Sequence, residues 1–139
     1  MNPFLHQRSI HFGLCCCGFL LFVLWACNHS SKMMDQKSEH QVQASVLYQA
    51  FIDDEVKAKV DFNNKVLEVV GSVKKINIDE SQQLTLVLDS KNELGNVLCK
   101  MEPPSRNLIS KLRLGDAIKV KGQCVGFRLD LILHHCVLM

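Results

Sequence analysis

Aromatic side chains are scarce in this chain: one Trp, one Tyr and seven Phe among 139 residues, with only Tyr48, Phe51, Phe62 and Phe127 beyond residue 27. A surface that stacks on nucleobases gains about 1–3 kcal/mol from each aromatic contact, so there is little material for one. A surplus of one charge is missing as well, because 16 basic residues face 14 acidic ones. No strong field recruits a polyanionic partner. The chain also lacks a G-x-S-x-G elbow, an H-E-x-x-H pair, a P-loop and a glycine-rich dinucleotide fingerprint. It is expected to bind without catalysis, and no metal or cofactor is implied. Finally, it has no apolar run of the roughly 20 residues that a bilayer-spanning helix needs.

The main apolar stretch is residues 12–26 (FGLCCCGFLLFVLWA), with Arg8 before it and the polar Asn28-His29-Ser30-Ser31-Lys32 soon after it. A short basic region, a run of this length and a small residue at its border predict a cleaved secretory signal over residues 1–26. Cys15, Cys16 and Cys17 inside it are read as small hydrophobes. The border Leu24-Trp25-Ala26-Cys27 resembles the lipobox of bacterial lipoproteins. That resemblance implies that Cys27 carries a lipid and becomes the new N-terminus. Several acyl tails at ~0.8 kcal/mol per buried methylene would make the anchor effectively permanent. Asn28 after the cysteine implies no inner-membrane retention signal, so an outer-membrane or periplasm-facing envelope lipoprotein is expected. Removing residues 1–26 takes away Arg8 and no acid, leaving 15 basic and 14 acidic groups. Residues 27–43 are polar and aperiodic, and are read as the lipidated cysteine and a flexible tether with His29 and His40 solvated.

From Ala44 onward the periodicity becomes regular. Ala44, Leu47, Phe51, Ala58 and Phe62 recur at intervals near three and four, with Tyr48, Ile52 and Val56 widening the stripe, which predicts one amphipathic helix over 44–62. Its outer face carries the i to i+4 pairs Asp53-Lys57 and Glu55-Lys59. The acidic run Asp53-Asp54-Glu55 is read as solvated, because consecutive helical residues point in different directions.

After Asn63-Asn64 the period changes to two. Leu67, Val69, Gly71 and Val73 share one face, and past Lys74-Lys75 the apolar parity moves to Ile76 and Ile78, which predicts a bulge inside a long first strand. Leu84, Leu86 and Leu88 form a second strand, and Val97, Cys99 and Met101 a third that ends at Pro103-Pro104. Residues 105–114 read as a short helix. Ile118, Val120, Gly122 and Cys124 form a fourth strand, and residues 127–138 a fifth.

A long bent strand, its hairpin partner, a third strand, a connecting helix and a last hairpin is the plan of the OB-fold. The expected class is all-β with helical additions: a five-stranded OB-fold Greek-key barrel over 44–139, preceded by an N-terminal amphipathic helix. The stretch from Tyr48 to the C-terminus resembles the tRNA_anti-like family of OB-fold proteins. The residues that carry the resemblance are Tyr48 with the helix through Ala58 and Phe62, Lys65-Val66-Leu67-Glu68-Val69 with Gly71-Ser72-Val73, Cys99, Gly115-Asp116, Gly122-Gln123-Cys124-Val125-Gly126 and Cys136. It implies a fold related to nucleic-acid-binding anticodon domains and little about what this exported branch binds.

Three cysteines remain in the domain. In such a barrel Cys136 could approach either Cys99 or Cys124, and a Cys124-Cys136 disulfide would stabilise by about 3 kcal/mol on the chain-entropy model. Two other readings stay open. All three are buried small hydrophobes, or they join His134 or His135 in a zinc site that lacks the usual C-x2-C spacing. Adjacent in a strand, His134 and His135 are expected to face opposite ways. Lys74, Lys75, Lys100, Lys119 and Lys121 form a candidate basic binding face, although outward lysines also solubilise strands. The function expected first is a lipid-anchored envelope module for a protein, peptide or glycan partner, held to the membrane through its anchor. The alternative is a nucleic-acid-binding OB protein.

Overall fold

The architecture was obtained as a computed structural model that describes residues 32–103, 107 and 110–139. The signal segment, Cys27 and most of the expected helix at 105–114 lie outside the described residues. Strand β2 (Val66–Ile78) is the longest element. Alternation buries Leu67, Val69 and Val73 and leaves Glu68 and Ser72 part-exposed. Between Val73 and Lys75 the register slips, so Lys74 is the extra residue of the bulge that the parity shift predicts. The bend gives one strand two partners. Before it, Val66 to Ser72 pair antiparallel with β5 (Ala117–Phe127). After it, Val73 to Ile78 pair with β3 (Leu84–Leu88). Strand β4 (Val97–Met101) follows β3 antiparallel, β6 (Leu131–Leu138) lies parallel to β4, and β5 and β6 form the last hairpin. The ring β2-β3-β4-β6-β5 therefore closes as a five-stranded OB barrel.

The expected single helix over 44–62 is two helices, α2 (Ala44–Asp53) and α3 (Glu55–Phe62). Asp54 leaves helical geometry at φ −152°, ψ 88°, and its carboxylate accepts from the Lys57 backbone N–H, which caps α3. The break turns α3 away, so Val56 and Val60 are exposed and only Ala58 of α3 is buried, while Ile52 near the end of α2 is exposed as well. Glu55 pairs with Lys59, but Asp53 accepts from Gln49 rather than meeting Lys57. Helix α2 is fixed to the barrel through aromatics: Tyr48 meets Phe127 edge-on at 5.5 Å and Phe51 stacks on Phe127 at 5.2 Å. The Tyr48 hydroxyl, fully buried with its ring, donates to the Leu129 carbonyl at 2.7 Å in the β5–β6 turn. Gly95 packs against both groups, since a Cβ there would lie 2.6 Å from the hydroxyl and 2.1 Å from the carbonyl oxygen.

Residues 32–43, read from the sequence as tether, are instead bound to the barrel. Helix α1 (Lys32–Asp35) packs on β5 and β6 and buries Met33. Strand β1 (His40–Gln43) pairs parallel with β2, with His40 opposite Leu67 and Gln43 opposite Val70, and the Glu39 N–H donates to the Val66 carbonyl. His40 meets Phe62 edge-on at 5.6 Å. Short polar segments escape periodicity analysis because their order comes from backbone pairing and not from an apolar face.

Because Tyr48 ties α2 to the β5–β6 turn, Tyr48→Phe is expected to cost about 0.5–1.5 kcal/mol by removing the bond to the part-buried Leu129 carbonyl. Gln49→Ala, on the solvent side of the same helix, should change stability by less than about 0.5 kcal/mol. Urea denaturation of both variants checks this, and equal losses would remove the Tyr48 bond from its proposed place.

Candidate functional site

OB-folds bind extended ligands across their second and third strands and the neighbouring loops, which here means the outer face of β3 and β4 with the turns at 79–83 and 128–130. Register places two rows across it. One row is Asn77, Thr85 and Lys100, and the other is Lys75, Val87, Leu98 and Ile132. Lys75 and Lys100 are exposed. Neither side chain makes a hydrogen bond or ion pair among the described residues. The Asp79 carboxyl, in the turn at one end, is held below its ordinary range by the Ser81 hydroxyl, then by the Gln83 and Ser81 backbone bonds and by Lys100.

Strand β6 extends the face through a second bulge. Both of its pairings slip in the 134–136 region, and His135 adopts φ 54°, a left-handed conformation that is uncommon outside glycine. The extra residue turns both histidines outward and Cys136 inward, which corrects the expectation that they would face opposite ways. The signal was present in the sequence, because the apolar parity moves from Leu131 and Leu133 to Cys136. His135 Nδ1 lies 2.6 Å from Glu102 Oε1. Partial burial, reinforced by Lys100 and His135, lowers the His134 pKa from its ordinary 6.5.

The five lysines expected to share one face do not. Lys74 donates to Asn96 Oδ1 at 2.9 Å and shares Asp89 with Lys91. Lys119 pairs with Glu68 at 3.4 Å and reaches Gln41, while Lys121 is 5% exposed and donates to the Met34 carbonyl at 3.0 Å. The cause is the docked N-terminal segment, which covers the outer face of β5 and brings the Ser38 hydroxyl to Glu68 at 2.8 Å. That bond, with help from Lys119 and Lys121 and against partial burial, holds the Glu68 carboxyl below its ordinary range.

Cys99, Cys124 and Cys136 are buried free thiols. The candidate pair Cys124-Cys136 is not assembled, because register sets Cys124 against Leu133 and Cys136 against Met101, beside Cys99. Burial pushes the Cys124 thiol up to about 11 and the Cys136 thiol well above its ordinary value, the second also through Cys99. Gly122 is required there, since a Cβ would lie 2.5 Å from Cys136 Sγ. With the thiols inside the barrel and both histidines outside, the zinc set considered from the sequence is not brought together, and no group of three or more His, Cys, Asp or Glu among the described residues could hold a metal ion. A shallow cleft between α2 and the Ser90 loop, lined by Val46, Gln49, Asp53 and Lys91, lies apart from these rows. No described helix is long and apolar enough to cross a membrane.

Residues 17–138 match the tRNA_anti-like family model. The chain belongs to the tRNA_anti-like family. Among solved structures, this tRNA_anti-like chain resembles a lipoprotein from Klebsiella pneumoniae to which nucleic-acid binding has been provisionally ascribed. Identity is 15% over 75% of this chain and 99% of that one, with a TM-score of 0.59, a likeness of fold alone. The S. pombe Stn1-Ten1 complex overlaps 53% of this chain and 57% of its own at 19% identity and TM-score 0.40. Yeast Stn1 and Ten1 overlap 78% and 65% at 9% identity and TM-score 0.42. Both overlaps are too loose to carry an argument. No curated protein matches the chain.

Titratable groups on this face and elsewhere on the barrel set a pH dependence. His134 has a folded pKa below 6.5, so in the window beneath 6.5 the unfolded chain binds more protons and stability falls as pH drops. The lowered carboxyls of Glu68, Asp79 and Asp89 stabilise above their unfolded values and lose that effect as pH falls through their folded ones. Urea midpoints should therefore decline as pH passes below 6.5 and again in the carboxylate range. His134→Gln is expected to flatten only the first decline, and an unchanged profile would contradict the assignment.

Proposed function

We propose that the protein is a non-catalytic, lipid-anchored OB-fold module of the cell envelope that holds single-stranded nucleic acid on the outer face of β2, β3 and β4. The observation that carries this reading is the placement of two unpaired lysines, Lys100 on β4, one of the strands an OB-fold uses for its ligands, and Lys75 on β2 opposite Val87 of β3, with the His134 ring beside Lys100. Membership of the tRNA_anti-like family supports it, as does the nucleic-acid role ascribed to the Klebsiella lipoprotein of the same fold. The lipobox-like Leu24-Trp25-Ala26-Cys27 supports the anchor. No Phe, Tyr or Trp ring lies on this face, so contact is to phosphates, with the His134 and His135 rings left for a base. Affinity is then weak and salt-dependent, with a slope near −0.7 per phosphate contact and thus about −1.4 for two lysines.

A second reading keeps the module and changes the ligand. Val87, Leu98 and Ile132 continue the row that starts at Lys75 and lie beside the polar row of Asn77, Thr85 and Lys100; Val87 is buried and Leu98 and Ile132 are half-buried, an apolar strip that suits a protein, peptide or glycan partner. Fluorescence anisotropy of the lipid-free chain from Asn28 onward, titrated with labelled single-stranded DNA and RNA across salt concentrations, separates the two. The nucleic-acid reading expects binding that fades with salt and is abolished by Lys75→Glu with Lys100→Glu, while Lys119→Ala leaves it intact. No binding at low salt would sink that reading and leave the partner reading to be tested by crosslinking in the envelope.

A further inference from the structure

The ordered N-terminal segment changes where the barrel can sit. Met33 is 8% exposed beside the outer face of the β5–β6 hairpin, the Met34 carbonyl accepts from Lys121, and β1 is paired to β2, so the chain is fixed to the barrel from Lys32 onward. Between Cys27 and Lys32 five residue steps remain, which at 3.3–3.6 Å each span at most about 18 Å. The β5–β6 hairpin is longer than that, because from Val137 to its turn at 128–130 the strand runs about 20–25 Å at its normal rise. The tether is too short to let the barrel turn freely.

We propose that α1 and the open end of the β5–β6 hairpin face the lipid headgroups of the anchoring membrane, with the turn at 128–130 held away from it. The inference rests on lipidation at Cys27. Its lipid-facing groups are Met34, 48% exposed, and the exposed cations Lys32 and Lys37, a small apolar tip with basic neighbours suited to anionic headgroups. Asp35 lies among them and limits the charge contribution, so the length of the tether is the main restraint.

Trp25 is the only tryptophan and departs with the signal, so a new one reports alone. Full-length lipidated protein carrying Met34→Trp or Leu129→Trp, the second position 64% exposed, is reconstituted in phosphatidylethanolamine and phosphatidylglycerol vesicles brominated near the headgroup. Quenching is expected to be several-fold stronger at position 34 than at 129. Twenty Gly/Ser residues inserted between Ser30 and Ser31, with a mean span of about 25 Å, should bring position 34 down to the level of 129. Equal quenching without the insertion, or strong quenching that survives it, overturns the proposal. Failure of the anchor reading looks different: the Cys27→Ser chain would still float with vesicles, and the parent protein would show Trp25 fluorescence.

Discussion

The bend in β2 is the constraint on which the rest depends. A straight strand of this length could not join β5 over its first half and β3 over its second while keeping both pairings in one closed sheet. The extra residue at Lys74 resolves the conflict by increasing local twist. Closure follows from it, and with closure every barrel strand has neighbours on both sides. The first half of β2 also receives β1, and through β1 the whole N-terminal segment is drawn onto the barrel.

The placement of the aromatics has a direct consequence for function. Tyr48, Phe51, Phe62 and Phe127 all serve the joint between the helices and the barrel, where area burial and ring geometry hold α2 in place. None remains for the outer strand face. The lysines are divided in a similar way, by register and not by number. Lys119 and Lys121 are taken by Glu68 and by the Met34 carbonyl, while Lys75 and Lys100 stay on the face that OB-folds use. A face with unpaired cations and no stacking rings suits weak, salt-sensitive contact with a phosphate backbone or a partner held by shape and apolar contact. It does not suit tight base-specific readout.

Much of this was legible in the chain. The β2 bulge was visible as a parity shift, because the side-chain period of two leaves no other way for Ile76 and Ile78 to reverse face. The second bulge left the same trace between Leu133 and Cys136. The break at Asp54 was harder to see, since a capping aspartate in an acidic run looks like any solvated helical residue. The docked segment over 32–43 could not be read at all. Its order comes from backbone pairing to β2 and from one buried methionine, and neither leaves a periodic signature.

By itself, the sequence determined the order of elements, the bend, the closed five-stranded plan and the absence of known catalytic motifs, since each of these follows from local periodicity and residue type. Only the tertiary structure decided which lysines stay unpaired, that both histidines face outward, that Cys136 lies beside Cys99 instead of Cys124, and that residues 32–43 dock on the barrel. Those outcomes depend on which strands become neighbours and on where a register slips by one residue. They are long-range facts, fixed when the barrel closes.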